Sequence, residues 1–309
     1  MATEPIVVTL DVSRVQDPRI ASSSALFNYW ELTKPEINFL IAITTAAGFW
    51  MGSSAALPHF PWMPFLHTLL GTMFVGSGAA TLNQLIEVRY DAQMRRTARR
   101  PLASGRIAPS HALWFGVLLS LLGVVYLAIS TNALASMLAA VTLLSYLFLY
   151  TPLKRITPLC TLVGAIPGAA PPLIGWAAAC GHLDPAAWVL FAIVFLWQFP
   201  HFMSIAWIYR EDYARAGYLV LPLEEARNRF VILQAVVASA ILFLVGLTPT
   251  VTGLSGLVYF GGALAIGGIF LYYSSRFAIH RTNVAARQLL FASILYLPAV
   301  FTLLVLNKK

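Results

Sequence analysis

The 309 residues are 59% hydrophobic and only 10% charged, with a formal net charge of +8 and a mean hydropathy of +0.76. A soluble domain is roughly 45–50% apolar, so this composition excludes an ordinary soluble protein and predicts one embedded in a lipid bilayer. The surplus positive charge follows membrane topology, which removes the reason to read nucleic-acid binding into it.

In chain order, the first 30 residues mix charges of both signs (Glu4, Asp11, Arg14, Asp17, Arg19). They lack the apolar core of a signal peptide and the acid-poor character of a transit peptide. We read residues 1–30 as a cytoplasmic N-terminal segment and 31–309 as one transmembrane domain of a bacterial inner-membrane protein. Nine mostly uncharged runs follow, at about 36–57, 66–86, 109–130, 132–150, 159–179, 186–209, 230–248, 252–274 and 288–306. Each is long enough to cross about 30 Å of hydrocarbon as a helix. The expected fold is therefore all-α: nine transmembrane helices in one bundle around a central cavity. The fifth run is the least regular, because Pro167, Pro171 and Pro172 interrupt it. Cys160 and Cys180 flank that run and suggest neither a disulfide nor a metal pair.

Nine spans require successive connections to alternate sides, and Lys and Arg favour the cytoplasm. Of the 20 Lys and Arg, 18 fall in the N-terminal segment and the even-to-odd connections, leaving Lys308 and Lys309 at the far end. The N-terminus is expected inside and the C-terminus outside. Almost all the acids share the cytoplasmic side, which topology does not require; Asp184 is the exception.

Those acids form two clusters. In NQLIEVRYDAQMRRTARRP, residues 83–101, Asn83, Glu87 and Asp91 recur every four residues. Such steps advance about 40° around a helix, so the three share one stripe. Amide and carboxylate oxygens suit Mg²⁺, which commonly takes one or two carboxylates plus substrate phosphates. Arg95, Arg96, Arg99 and Arg100 follow at once, and guanidinium groups match phosphate oxygens in pairs. If the segment is helical, Arg96 and Arg100, one turn apart, are the pair expected to face a phosphate. The second cluster, YREDYARAG at 209–217, carries Glu211, Asp212 and Arg215 four spans later in the same orientation. A 4+4 repeat plus one helix would set the two acidic edges facing each other. An orientation signal explains an isolated pair such as Lys154 and Arg155, and simple ion pairing would explain the first stripe.

The motif from Asn83 to Gly105 resembles the first motif of the UbiA superfamily of intramembrane prenyltransferases, and within it the haem-farnesylating branch. LTKPE at 32–36, YTPLKRIT at 150–157, GAIPGAAPPLIGW at 164–176, WQFPHF at 197–202 and DYARAGYLVLP at 212–222 agree. The resemblance implies Mg²⁺ held by Asn83, Glu87, Asp91 and Asp212. It implies diphosphate bound by Arg95, Arg96, Arg99, Arg100, Lys154, Arg155 and Arg215. It further implies transfer of a farnesyl group from farnesyl diphosphate to a vinyl of haem B inside the lipid bilayer, and contact with downstream haem-modifying or oxidase-assembly proteins. Three positions depart from the wider pattern: Gln84 and Glu87 stand where many relatives carry Asp, and Ala216 stands where a second acid would follow Asp212.

Trp197 and His201 lie one turn apart around Pro200, making His201 a candidate haem contact or, equally, a buried histidine with its hydrogen bond satisfied. The rival readings are a prenyltransferase with an aromatic acceptor such as hydroxybenzoate, and a secondary transporter. Transporter sites sit near mid-membrane, whereas these acids gather at one edge.

Overall fold

The computed structural model describes residues 24–54, 59–220 and 225–309, with only the backbone of 225–231. Arg14, Arg19 and the rest of the N-terminal segment through residue 23 lie outside the described residues, as do the side chains of Arg227 and Arg229.

Twelve helices are used here: α1 (Ala25–Leu32), α2 (Pro35–Gly52), α3 (Trp62–Asp91), α4 (Pro109–Ser130), α5 (Ala133–Leu153), α6 (Cys160–Cys180), α7 (Pro185–Ile208), α8 (Arg210–Arg215), α9 (Glu225–Val245), α10 (Thr248–Val251), α11 (Leu257–His280) and α12 (Asn283–Leu306). Among the described residues, eight helices are long and apolar enough to cross a membrane. The ninth expected span is α2, whose 18 residues include Glu36 and Asn38 and so fall short in apolar character. The protein is a multi-pass membrane protein, and the nine-span expectation is nearly met. The first span ends at Gly52 and the eighth begins at Leu257, five residues later than the hydropathy reading. Helix α1 was not foreseen. Arg106 ties it down, donating to Asn28 Oδ1 at 2.6 Å and Glu31 Oε2 at 2.8 Å.

Without water to hydrogen-bond, helices in lipid associate through close packing, which small residues permit. A Cβ on Gly48 of α2 would stand 2.1 Å from Pro172 O, and one on Gly175 of α6 would stand 2.0 Å from Thr45 O. The α2–α6 pair therefore approaches backbone to backbone. Between α3 and α4, Gly78 faces Gly116 and Ser120 in the same manner. The main core lies among α6, α7, α9, α11 and α12, built on Trp176, Leu190, Ile193, Leu242, Phe270, Phe277 and Phe301.

Helix α6 breaks at Ala170, ahead of Pro171 and Pro172, whereas Pro167, also expected to interrupt the run, lies inside its first half. Helix α5 carries a π-helical turn over Ser145–Tyr150, directly before the residues it brings to α3. Such turns are rare and often mark functional sites. The ends of α3, α5 and α7 meet at one end of the bundle. At the other end Lys308 donates to Trp50 O and Ser53 O.

Candidate active site

Helix α3 runs five residues beyond its expected end at 86, so the whole Asn83–Glu87–Asp91 stripe is helical. All three side chains are buried, at 1%, 5% and 1% exposure. A buried carboxylate needs a partner, and each stripe residue receives a cation from a different element. Lys34 Nζ donates to Asn83 Oδ1 at 3.0 Å. Lys154 Nζ meets Glu87 Oε1 at 2.8 Å, and Arg100 Nη1 meets Asp91 Oδ2 at 2.7 Å. Asn83 Nδ2 in turn donates to Thr151 Oγ1 at 3.2 Å.

The two lysines respond oppositely. Burial, reinforced by Arg100, lowers the Lys34 pKa to about 7. Burial also opposes charge on Lys154, but the charge of Glu87 and then the Tyr150 and Tyr146 hydroxyls outweigh it, and its pKa rises well above the ordinary value. The Lys154 ammonium stands 4.6 Å from the centre of the Tyr150 ring.

One fully buried oxygen of the stripe, Asp91 Oδ1, has no hydrogen-bond partner. An unpaired buried carboxylate oxygen is costly, and a bound cation would remove the cost. The donor set is all oxygen, two carboxylates and one amide from a single helical face, which fits Mg²⁺.

The opposite wall comes from α8 and the turn after it. Asp212, 8% exposed, lies between two donors: Arg96 N reaches Oδ2 at 3.3 Å and Arg215 Nη1 reaches Oδ1 at 3.2 Å. The two acidic clusters thus do face each other, linked through Arg96. Its guanidinium lies 5.0 Å from the Tyr209 ring centre and donates to the Tyr213 hydroxyl at 3.4 Å. Tyr218 closes the gap, its backbone neighbour Leu219 donating to Lys154 O at 2.9 Å. Burial, and then the Glu87 carboxylate, push the Tyr218 hydroxyl pKa up.

Residues 92–101 form successive turns rather than a regular helix, so the helical condition on the Arg96–Arg100 pairing is not met. Arg100 meets Asp91 through its guanidinium, whereas Arg96 meets Asp212 through its backbone N–H and, like Arg95 and Arg99, has an exposed side chain. Arg155 is also exposed, lying over the Tyr90 ring at 4.4 Å. Glu211 points to solvent. Sequence reasoning missed Lys34, Thr151 and Tyr218. A signal existed for the first: Lys34 precedes Pro35 at the head of α2 and adopts φ 49°, a left-handed conformation uncommon for a side-chain-bearing residue.

Farther into the bundle, His201 Nδ1 pairs with Ser293 Oγ of α12 at 2.7 Å and stacks on Trp197, ring centres 4.6 Å apart. Trp197 Nε1 donates to Ser293 O at 2.8 Å. Ser293 therefore holds both rings and occupies Nδ1.

The chain matches the pattern of the UbiA prenyltransferase family over residues 41–295. It is 49% identical over 287 residues to a protein named protoheme IX farnesyltransferase from Solibacter usitatus, covering 91% of this chain and 98% of that one. A protein of the same name from Koribacter versatilis is 42% identical, covering 94% and 96%. The mitochondrial protoheme IX farnesyltransferase of Arabidopsis thaliana is 36% identical, covering 91% of this chain and 64% of that one. Among solved structures, a digeranylgeranylglyceryl phosphate synthase superposes with a TM-score of 0.75 at 17% identity, covering 91% of this chain and 98% of that one. A UbiA homologue from Archaeoglobus fulgidus, bound to GPP and Mg²⁺, superposes with a TM-score of 0.66 at 17% identity, covering 90% and 99%. These two likenesses concern the fold.

Proposed function

The chain belongs to the UbiA prenyltransferase family, and from that premise we propose that it transfers the farnesyl group of farnesyl diphosphate to a vinyl group of haem B. The prenyl-diphosphate half rests on one observation above the others: the buried Asp91 Oδ1 without a partner, set among Lys34, Lys154, Arg96 and Arg100. The haem half is supported by the shared name of the relatives.

In this reading Asn83, Glu87 and Asp91 hold Mg²⁺, which when bound supplies positive charge to the diphosphate and makes it a better leaving group. Arg96, Arg100 and Lys154 contact the phosphate oxygens and stabilise the charge that develops as the C1–oxygen bond breaks. Tyr150 and Tyr218 line the approach to the charged floor and help keep water from the allylic cation. The vinyl π electrons of haem form the bond to C1. Water adds to the resulting haem-side cation and loses a proton, and diphosphate departs. His201, with Nδ1 held by Ser293, offers Nε2 toward haem. We place the protein in a bacterial inner membrane with the site at the cytoplasmic face, on the distribution of Lys and Arg.

The test is to incubate purified protein with Mg²⁺, farnesyl diphosphate and either haem B or hydroxybenzoate, and to weigh the products. A haem adduct heavier by one farnesyl group and one hydroxyl group supports the reading. Prenylation of hydroxybenzoate alone would replace it with the aromatic-acceptor alternative.

A further inference from the structure

The two acidic walls are not equivalent, and we infer that this chain binds one divalent cation, on the α3 stripe, while Arg96 and Arg215 mounted on Asp212 take the place of a second. The inference rests on the reading of this site as a diphosphate site.

On α3 the stripe offers oxygen ligands at 83, 87 and 91, with Asp91 Oδ1 unpartnered. The corresponding four-residue steps across the break between α7 and α8 are Ser204, Ile208 and Asp212, with a single carboxylate. One turn further on, where another acid would share that stripe, stands Ala216, 4% exposed and packed with Met94 and Tyr218. Glu211, the remaining acid of the cluster, is exposed. Both oxygens of Asp212 are already taken, by Arg96 N and Arg215 Nη1. Mg²⁺ needs near-octahedral oxygen ligation. A lone carboxylate with both oxygens engaged offers at most one ligand, whereas the α3 stripe offers three residues and one buried oxygen left free.

Asp212 then has a different task. It holds the backbone at Arg96 from a helix 116 residues away and steers Arg215, which also donates to Gln93 O at 3.3 Å. Arg96 is further held against Tyr209 and Tyr213. Two guanidinium groups fixed on the far wall carry the charge that a second ion would bring, in a geometry matched to phosphate oxygens. Asp212 is a positioning residue, and Arg96 and Arg215 bind the diphosphate.

The experiment counts ions directly. Full-length protein in detergent, with inorganic diphosphate present, is titrated with Mn²⁺ in place of Mg²⁺ and followed by electron paramagnetic resonance. One Mn²⁺ per chain with an isolated-ion spectrum is expected. Asp91→Asn should weaken Mn²⁺ binding at least about tenfold, since a carboxylate ligand is lost. Asp212→Asn should leave one Mn²⁺ bound with affinity within about twofold, yet weaken diphosphate binding about tenfold through loss of charge-assisted bonds. Arg96→Lys and Arg215→Lys should repeat that diphosphate loss without changing the Mn²⁺ count. Two Mn²⁺ per chain, or spin coupling between ions, would overturn the inference while leaving the proposed reaction standing. A tenfold loss of Mn²⁺ affinity in Asp212→Asn would do the same. Failure of the wild-type protein to bind Mn²⁺ at all would overturn the inference and the diphosphate reading together.

Discussion

Lys154 Nζ lies 2.8 Å from Glu87 Oε1, and with side chains 14% and 7% exposed the pair is buried. A buried pair adds little net stability over an apolar substitute, but removing one partner leaves an uncompensated charge. Lys154→Met should therefore lower stability by about 3 kcal/mol. Adding Glu87→Gln should recover most of that loss without recovering turnover. Thermal unfolding in detergent, measured alongside product formation, separates the two effects; a stable but inactive single variant would assign Lys154 to diphosphate binding alone.

Asp91 carries the unpartnered oxygen of the stripe. Asp91→Ala should reduce turnover by at least about 10²-fold, the cost of losing one stabilising group for a developing oxyanion, and more if the ion leaves with it. Raising Mg²⁺ should not restore the rate. Near-normal turnover in a folded variant at low Mg²⁺ would remove Asp91 from the metal site.

The arginine run should divide sharply. Replacing Arg96 or Arg100 with Lys keeps the charge and loses the forked geometry, so KM for farnesyl diphosphate should rise about tenfold. Arg95→Lys and Arg99→Lys, on exposed side chains, should change it less than about twofold. Equal and mild effects from all four variants would reduce the run to an orientation signal.

His201 separates a haem enzyme from other prenyltransferases. His201→Ala should weaken haem binding and turnover while leaving Mg²⁺-dependent farnesyl diphosphate binding intact, and absorption spectra of added haem should change if the imidazole meets the iron. Ser293→Ala frees Nδ1 and should produce a smaller version of the same change, about 1 kcal/mol in haem affinity. An unchanged haem spectrum with normal turnover would assign His201 to packing.

The α2–α6 contact has no room for a side chain at Gly175, where a Cβ would come 2.0 Å from Thr45 O and 2.7 Å from Phe49 N. Gly175→Ala must displace backbone, and overpacking of this kind costs about 1–3 kcal/mol or more. Reduced yield of folded protein is expected, with Gly261→Ala, which meets nothing within 4 Å, as the neutral comparison.

Much of this was legible in the chain itself, and the reason is the bilayer. Hydrocarbon accepts only helices with their backbone bonds satisfied internally, so apolar runs of sufficient length declare the spans, and the prolines at 171 and 172 declare the break in α6. The four-residue spacing of Asn83, Glu87 and Asp91 is local, so one helical face followed from helix geometry alone. Tertiary structure decided which cation meets which acid. Lys34 reaches Asn83 across 49 residues, Lys154 reaches Glu87 across 67, and Asp212 meets Arg96 across 116. No periodicity reports such pairs, because they depend on which helices pack side by side and on glycines that let them approach. The saturation of Asp212 belongs to the same class. In the sequence it is one acid beside arginines; in the fold, two donors from different elements have already claimed both its oxygens.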